Sequence, residues 1–387
     1  MADSSHFPDI VSVLRDGTAR TRTELARLTG RARSTISVRL TELIDQGLVV
    51  ELDETVSTKG RPSALFALDT ENRLIGALDL GAHHGVYAVT DLVGNVLAHR
   101  QEQLDIADGP IEVLDHAATV LGELIDETGR SRADLLGIGI GLPGPVEHET
   151  GLPVSPPIMP GWDRFNVEVH LRKTFDVPVR VDNDVNVMAV GELLAMETEE
   201  CDAVVVKIAT GIGAGIIAGG HLIRGADGAG GDIGHVQVEA GNDRVCRCGQ
   251  FGCCEAVASG RGVAETLSQM GYDTTGSLDV VRLVRGGDLE ATRVVREAGR
   301  IIGQVLAGVI CLLNPALIII GGEMAEVGEP LLAGIREVVY QRSQPLATKH
   351  LRIVNATNNG FAGVVGASRL IQDKIFGMPE APILRLG

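Results

Sequence analysis

Apolar positions follow two rhythms along the chain, and the rhythm changes near residue 74. Before that point the periodic segments are short and helical. In Asp9–Asp16 the apolar positions 10, 11, 13 and 14 mark one face of a short helix. Thr23–Gly30 predicts a second helix, with Leu25, Ala26 and Leu28 facing inward and Gly30 as its left-handed stop. Arg33–Gly47 predicts a third, whose buried stripe is Ile36, Leu40, Leu43 and Ile44. Leu48–Leu52 and Ala64–Leu68 then read as two strands around a loop holding Lys59-Gly60-Arg61-Pro62. Two helices with a short turn, followed by two strands, predict a winged helix-turn-helix over residues 1–70.

From Leu74 the pattern is that of an α/β protein. Leu74–Leu80 is an apolar strand entering Asp79-Leu80-Gly81-Ala82-His83-His84, and Gly85–Thr90 and Val96–Arg100 are two more strands turning at Gly94-Asn95. A helix over Ile111–Glu127 leads to the strand Leu135–Gly141 and the turn Gly141-Leu142-Pro143-Gly144. A helix near Val167–Phe175, the segment Val179–Asp184 and a helix over Val185–Leu194 follow. A second half opens in the same manner, with the strand Ala203–Ile208 entering Thr210-Gly211-Ile212-Gly213. It continues through long helices to the strand Leu317–Ile320 and ends in a helix over Gly363–Gln372. Two α/β halves, each opening on a glycine turn suited to phosphates, imply a bilobal fold with a ligand cleft between the lobes.

Charge adds one contrast. The net charge of −17 over 387 residues argues against nucleic acid, yet residues 15–39 carry seven arginines against Asp16 and Glu24. A basic patch on an otherwise acidic chain can face DNA while the remainder repels it. Arg33, Ser34, Thr35, Ser37 and Arg39, off the buried stripe of the third helix, suit base edges and phosphates. Lys59, Gly60 and Arg61 form a cationic wing fit for a narrow minor groove.

Composition adds a metal. Four of the six cysteines fall in residues 246–254, and His235 stands upstream of them. His235, Cys246, Cys248 and Cys253 make a set of one histidine and three cysteines matching closed tetrahedral zinc, with Gly249 and Gly252 allowing the tight turns; buried reduced thiols are the alternative. No segment is long and apolar enough for a bilayer, and MADSSHFPDI lacks the marks of a signal peptide, so a cytoplasmic protein with reduced thiols is expected.

In this order, the winged helix, the Asp79-x-Gly81 turn, Gly141-x-Pro143-Gly144, Asn183-Asp184, Thr210-Gly211-x-Gly213, Gly231-Asp232-Ile233-Gly234-His235 and Cys246-x-Cys248-Gly249-x-x-Gly252-Cys253-x-Glu255 resemble the ROK family (repressors, open reading frames and sugar kinases), in particular its repressor branch. The resemblance covers roughly residues 9–375. It implies an actin-like, ribonuclease-H-type ATPase fold over 71–387. Lobe one would span about 74–185 plus the C-terminal helix, and lobe two about 186–365. It implies zinc on His235, Cys246, Cys248 and Cys253, with Cys254 a neighbour. It implies a sugar held by Asn183, Asp184, Asp232, His235 and Glu255, with Asp184 as general base in any kinase reaction. ATP and Mg2+ would sit at Asp79, Gly81, Thr210, Gly211 and Gly213.

The chain departs from the family pattern at four places. Ala82 and His83 replace the glycine and threonine of the first phosphate turn, Asp232 replaces a glutamate, and Ile158 stands where sugar-binding members often carry asparagine. Trp162 belongs either beside the cleft or in the core.

The expected function is a sugar-responsive transcriptional regulator, a repressor of carbohydrate-metabolism genes. Its expected partners are operator DNA and a sugar or sugar-phosphate effector, with no membrane, and its assembly a homodimer or homotetramer. The alternatives are an ATP-dependent sugar kinase with a DNA-binding head, and a zinc-stabilised DNA-binding protein whose cleft has lost its ligand.

Overall fold

The computed structural model describes residues 8–56, 63–196, 200–357, 360–378 and 382–383. The chain begins with α1 (Pro8–Leu14), β1 (Arg20–Thr21), α2 (Arg22–Thr29), α3 (Arg33–Asp45), β2 (Val49–Val56) and β3 (Ser63–Leu68). Thr21 starts α2 through a capping box, its hydroxyl accepting from the Glu24 N–H while its own N–H donates to the Glu24 carboxylate at 2.8 Å. Gly30 ends α2 at φ 68°. Ile36, Leu40 and Leu43 are fully buried, as their spacing predicts, and Ile44 is half-buried. Leu28 departs from expectation and is 39% exposed. The packed face of α2 runs through Leu25, Ala26 and Thr29, and Leu28 falls beyond its edge. The sheet has three strands, ordered β1-β3-β2, because Arg20 and Thr21 pair antiparallel with Phe66 and Leu65. A two-residue strand is too short to show alternation, so no sequence pattern announces it.

The rest of the chain builds two five-stranded sheets of one design. The first comprises β4 (Leu74–Leu80), β5 (His84–Thr90), β6 (Val96–Gln103), β7 (Leu135–Leu142) and β8 (Val179–Asn183), ordered β6-β5-β4-β7-β8. The second comprises β9 (Ala203–Ile208), β10 (Ile212–Ala218), β11 (His221–Ile223), β12 (Leu317–Gly321) and β13 (Arg352–Asn355), ordered β11-β10-β9-β12-β13. In each, three strands form an antiparallel meander and two more join in parallel. The hairpins β4–β5 and β9–β10 are therefore equivalent, and they carry the two glycine turns.

Helices α4 (Pro110–Glu127), α5 (Val167–Leu171) and α6 (Asp184–Ala195) accompany the first sheet. Those following the second hairpin are α7 (Cys254–Ala258), α8 (Gly260–Gln269), α9 (Ser277–Arg285), α10 (Leu289–Leu313), α11 (Glu329–Arg342) and α12 (Pro345–Thr348). The last helix, α13 (Ala362–Ile375), returns to pack on β4 and β7. Helix α5 stops four residues short of the expected Phe175, because the chain must turn before Pro178 to enter β8. Trp162 is fully buried in the core of the first sheet, and its Nε1–H donates to the Ile106 carbonyl at 3.0 Å. It is a core residue, not a cleft residue.

Two joints matter for function. Helices α6 and α13 touch backbone to backbone, since a Cβ on Gly191 would strike the Ala362 carbonyl and one on Gly366 the Val187 carbonyl. The core of residues 8–68 is also continuous with the body, joining Ile10, Leu40 and Phe66 to Ile75, Leu92, Ile371 and Phe376. Arg15, just past α1, pairs with Asp373 of α13 at 2.6 Å. Arg73 donates to the Gln46 and Gly47 carbonyls just past α3, at 3.0 and 2.9 Å.

Candidate ligand cleft and metal centre

The segment from Gly231 to Glu255 lies directly on hairpin β9–β10. A Cβ on Gly231 would strike the Ala214 carbonyl and one on Gly234 the Ile212 carbonyl, so both glycines answer to close approach. Gly249 and Gly252 adopt φ of 86° and 81° and fold the cysteines back on themselves. The ligand atoms of His235, Cys246, Cys248 and Cys253 all lie within 4.8 Å of one another. Cys248 Sγ is 3.7 Å from Cys253 Sγ, and Cys246 Sγ is 3.7 Å from His235 Nδ1. Tetrahedral zinc with Zn–S of about 2.3 Å spaces sulfurs about 3.8 Å apart, whereas a disulfide needs about 2.05 Å. The donor set therefore fits a zinc ion.

Burial, then the neighbouring thiols, push the Cys253 thiol up to about 12, and burial is likewise the first cause raising Cys246. Without a cation these groups stay protonated; a bound dication would deprotonate them outright. Cys254 points instead into the apolar core of the second sheet, where burial pushes it to about 12.

Of the expected sugar-holding residues, three gather around this segment. His235 turns Nδ1 to Cys246 and Nε2 toward Asp232, 3.8 Å away. Glu255 accepts from the Ile212 N–H at 3.0 Å, and a Cβ on Gly211 would lie 2.5 Å from the same carboxylate oxygen. Glu255 thus stitches α7 to hairpin β9–β10. Asn183 and Asp184 lie at the start of α6, against which Gly213 of that hairpin packs through Val185. Asn183 caps α6: its Oδ1 accepts from the Val185 N–H at 3.0 Å and its Nδ2 donates to the Gly144 carbonyl at 2.8 Å.

Asp184 is already paired. Lys207 Nζ lies 2.7 Å from its Oδ2, and the two side chains are 13% and 14% exposed. Burial would lower the Lys207 pKa, but Asp184 and then Asp79 outweigh it and hold the ammonium above its ordinary value. Asp79, on β4, is raised by burial and by Asp184 against the pull of Lys207 and His84, and its Oδ1 has no hydrogen-bond partner among the described residues. His84 Nδ1 stands 3.9 Å from Glu323 Oε1. Lys207 was legible only as a lone charge in an apolar strand, and its partner lies across the lobes.

The glycine turns are tight hairpin ends. The Gly81 N–H donates to the His84 carbonyl at 2.8 Å and the Ala209 N–H to the Gly211 carbonyl at 2.9 Å. Gly81, Gly211 and Gly213 are absent from the left-handed region, and a Cβ on them would meet His84, Glu255 and Val185 respectively. The Ile212 N–H, beside Thr210 in the second turn, already donates to the Glu255 carboxylate. With Lys207 between the hairpins, these residues do not fit ATP and Mg2+.

Ala82, His83, Asp105, Ile158 and Arg247 help to line a cavity of about 400 Å³, to which none of the five sugar-holding candidates contributes. On α3, Arg33, Ser34 and Ser37 are exposed, and Thr35 and Arg39 are half-buried. Lys59, Gly60 and Arg61 lie outside the described residues. No helix among the described residues is long and apolar enough to cross a membrane.

Two sheets of one actin-like design, a thiol cluster beside the cleft between them, and a head of three helices and three strands define the class of protein. The profile of the ROK family matches residues 75–374, and the chain belongs to that family. It is 27% identical over 386 residues to the xylose repressor of Caldicellulosiruptor bescii, covering 96% of each chain. It is 29% identical over 363 residues to the DNA-binding transcriptional dual regulator NagC of Escherichia coli K12, covering 91% of this chain and 88% of that one. A ROK family transcriptional regulator described as a homolog of the E. coli MLC protein superposes with a TM-score of 0.81 at 25% identity over 97% of each chain. A ROK family glucokinase from Streptomyces griseus, in complex with glucose and AMPPNP, gives a TM-score of 0.65 at 26% identity over 77% of this chain and 98% of that one.

Proposed function

We propose that this chain is a sugar-responsive, DNA-binding repressor of carbohydrate-metabolism genes, cytoplasmic, holding one structural zinc and acting as a homodimer or homotetramer. Residues 1–70 are its winged helix-turn-helix, and 71–387 its two-lobed sensor. Arg33, Ser34, Thr35, Ser37 and Arg39 face operator DNA, with Lys59, Gly60 and Arg61 on the wing. Asn183, Asp184, Asp232, His235 and Glu255 face the hydroxyls of a sugar or sugar phosphate. Zinc on His235, Cys246, Cys248 and Cys253 fixes the loop that carries Asp232 and Glu255.

The observation that carries this reading is continuity. Asp184 opens α6, α6 is locked to α13 by glycine contacts, and α13 shares a core and the Arg15–Asp373 pair with the head. A ligand that favours one arrangement of α6 and α13 therefore biases the arrangement of α3. The names of the relatives support the same reading. The Lys207–Asp184 pair speaks against the kinase alternative. Fluorescence anisotropy with DNA from the gene's own neighbourhood, titrated with xylose, glucose and N-acetylhexosamines, tests it. Nanomolar binding released by one sugar is expected; absence of binding to every fragment sinks the proposal.

A further inference from the structure

Lys207 is the one charged residue in Ala203–Ile208, a strand otherwise apolar and fully buried. It is flanked in register by Gly213 on β10 and Gly321 on β12, so neither neighbouring strand offers a side chain to compete for its space. Its ammonium crosses from the second sheet to Asp184 at the edge of the first. Asp79 from β4 and Glu323 from the turn after β12 also lie within its field. Asp79 is 7% exposed, and its Oδ1 lacks a hydrogen-bond partner among the described residues. Carboxylates that converge from three elements around the buried Asp79 favour a cation between them.

In phosphoryl transfer that cation is a divalent metal, which neutralises charge on the moving group. We infer that the Lys207 ammonium fills this role permanently, so that the cleft takes a polyhydroxylated ligand without nucleotide or divalent cation, and Lys207 is the residue that excludes the metal. The inference rests on the reading of the cleft as a sugar site. A dication entering beside Asp184 meets a fixed positive charge in a poorly screened place. Asp184 already has one carboxylate oxygen committed to Lys207, which competes with proton transfer from a hydroxyl.

Mn2+ is the probe, followed by electron paramagnetic resonance of the free ion, on zinc-replete full-length protein without nucleotide. Wild type is expected to take up no more Mn2+ than the Lys207→Met/Asp184→Asn double variant. Lys207→Met is expected to bind Mn2+ at least about tenfold more tightly than wild type, and Lys207→Arg to remain metal-free. If Lys207→Met fails to fold, Lys207→Gln keeps a hydrogen bond to Asp184 and takes its place. Wild-type uptake that Asp184→Asn abolishes overturns the inference. So does a folded neutral variant that binds Mn2+ no better than wild type. A companion titration compares release of DNA by sugar with and without added Mg2+: equal release supports the inference, and dependence on Mg2+ overturns it. If no sugar acts at all, the failure belongs to the proposed function, and the Mn2+ result still decides the role of Lys207.

Discussion

Removing the charge of Asp373 should destabilise the head far more than removing the charge of its partner, Arg15. The Arg15 side chain is 5% exposed and lies across Phe376, with 5.8 Å from guanidinium carbon to ring centre. The pair is short, at 2.6 Å, but poorly aligned, and none of the three side-chain nitrogens makes a well-formed hydrogen bond. Burial lowers the Arg15 pKa, with Asp373 acting the other way. Asp373→Asn therefore leaves a buried guanidinium with its counter-charge removed, a change that costs about 3–5 kcal/mol. Arg15→Met removes the guanidinium together with its desolvation and keeps an apolar stem on Phe376. Asp373 then retains Arg369, whose Nε is 3.4 Å away. The expected cost is about 1 kcal/mol, in line with apolar replacement of buried ions. Hydrogen exchange of the amides in α1 to α3 reads the stability of the head directly. Operator anisotropy on the same samples reads function: Arg15→Met should keep DNA affinity while weakening its response to sugar. If Arg15→Met costs as much as Asp373→Asn, the charge argument is wrong and the contact is simply packing.

Elemental analysis should find one zinc per chain, and Cys246→Ser or a strong chelator should lower the melting temperature by several degrees; a metal-free protein of unchanged stability would refute the site. Asp184→Asn should abolish release of DNA by sugar, and unaltered release in that variant removes Asp184 from the pocket. Stability should also fall in mild acid because of His148, whose pKa is lowered to about 4 by burial and then by Arg224 and Arg180. The unfolded chain takes up this proton near the ordinary histidine value of about 6.5, the folded chain only near 4, so stability is lost as pH drops through that window. In His148→Gln the slope of urea stability across that same window should be shallower, and an identical slope excludes His148 as its source.

Local pattern made much of this molecule legible, and the boundary has a physical cause. Ile36, Leu40 and Leu43 keep helical spacing, and Leu74–Leu80, apart from Asp79, and Leu317–Gly321 are apolar because both faces of their strands are covered. The cysteine cluster was legible because a metal site compresses its ligands into a short segment. What escaped is made of partners distant in sequence or of exceptions to periodicity. Lys207 and Asp184 meet across the lobes, and Arg15 and Asp373 join the two ends of the chain. Leu28 has the right spacing but sits where the packed face ends. The glycines of the second turn suit phosphate in sequence, yet Gly211 makes room for Glu255.

That last substitution of roles links the metal segment to the DNA-binding head. The thiol segment holds Glu255, Glu255 holds the hairpin at Ile212, and the hairpin rests through Gly213 on Val185, one residue beyond Asp184. From there α6 meets α13 backbone to backbone at Gly191 and Gly366, and α13 ends in the core that holds α1 and α3. Each link is rigid for a stated reason: a hydrogen bond to a buried amide, a glycine contact with no slack, a shared apolar core. Lys207 spans the lobes within this chain of contacts, so a ligand that bonds Asp184 beside the ammonium bears on how the second lobe sits on α6. With the ammonium kept in place, a sugar hydroxyl bonded to Asp184 beside it is expected to shift the strand that carries Lys207 relative to α6. Lys207→Met should accordingly bind sugar yet respond poorly, its DNA affinity fixed at one value with or without ligand. A variant that still releases DNA as wild type does would show that the signal bypasses the Lys207–Asp184 pair.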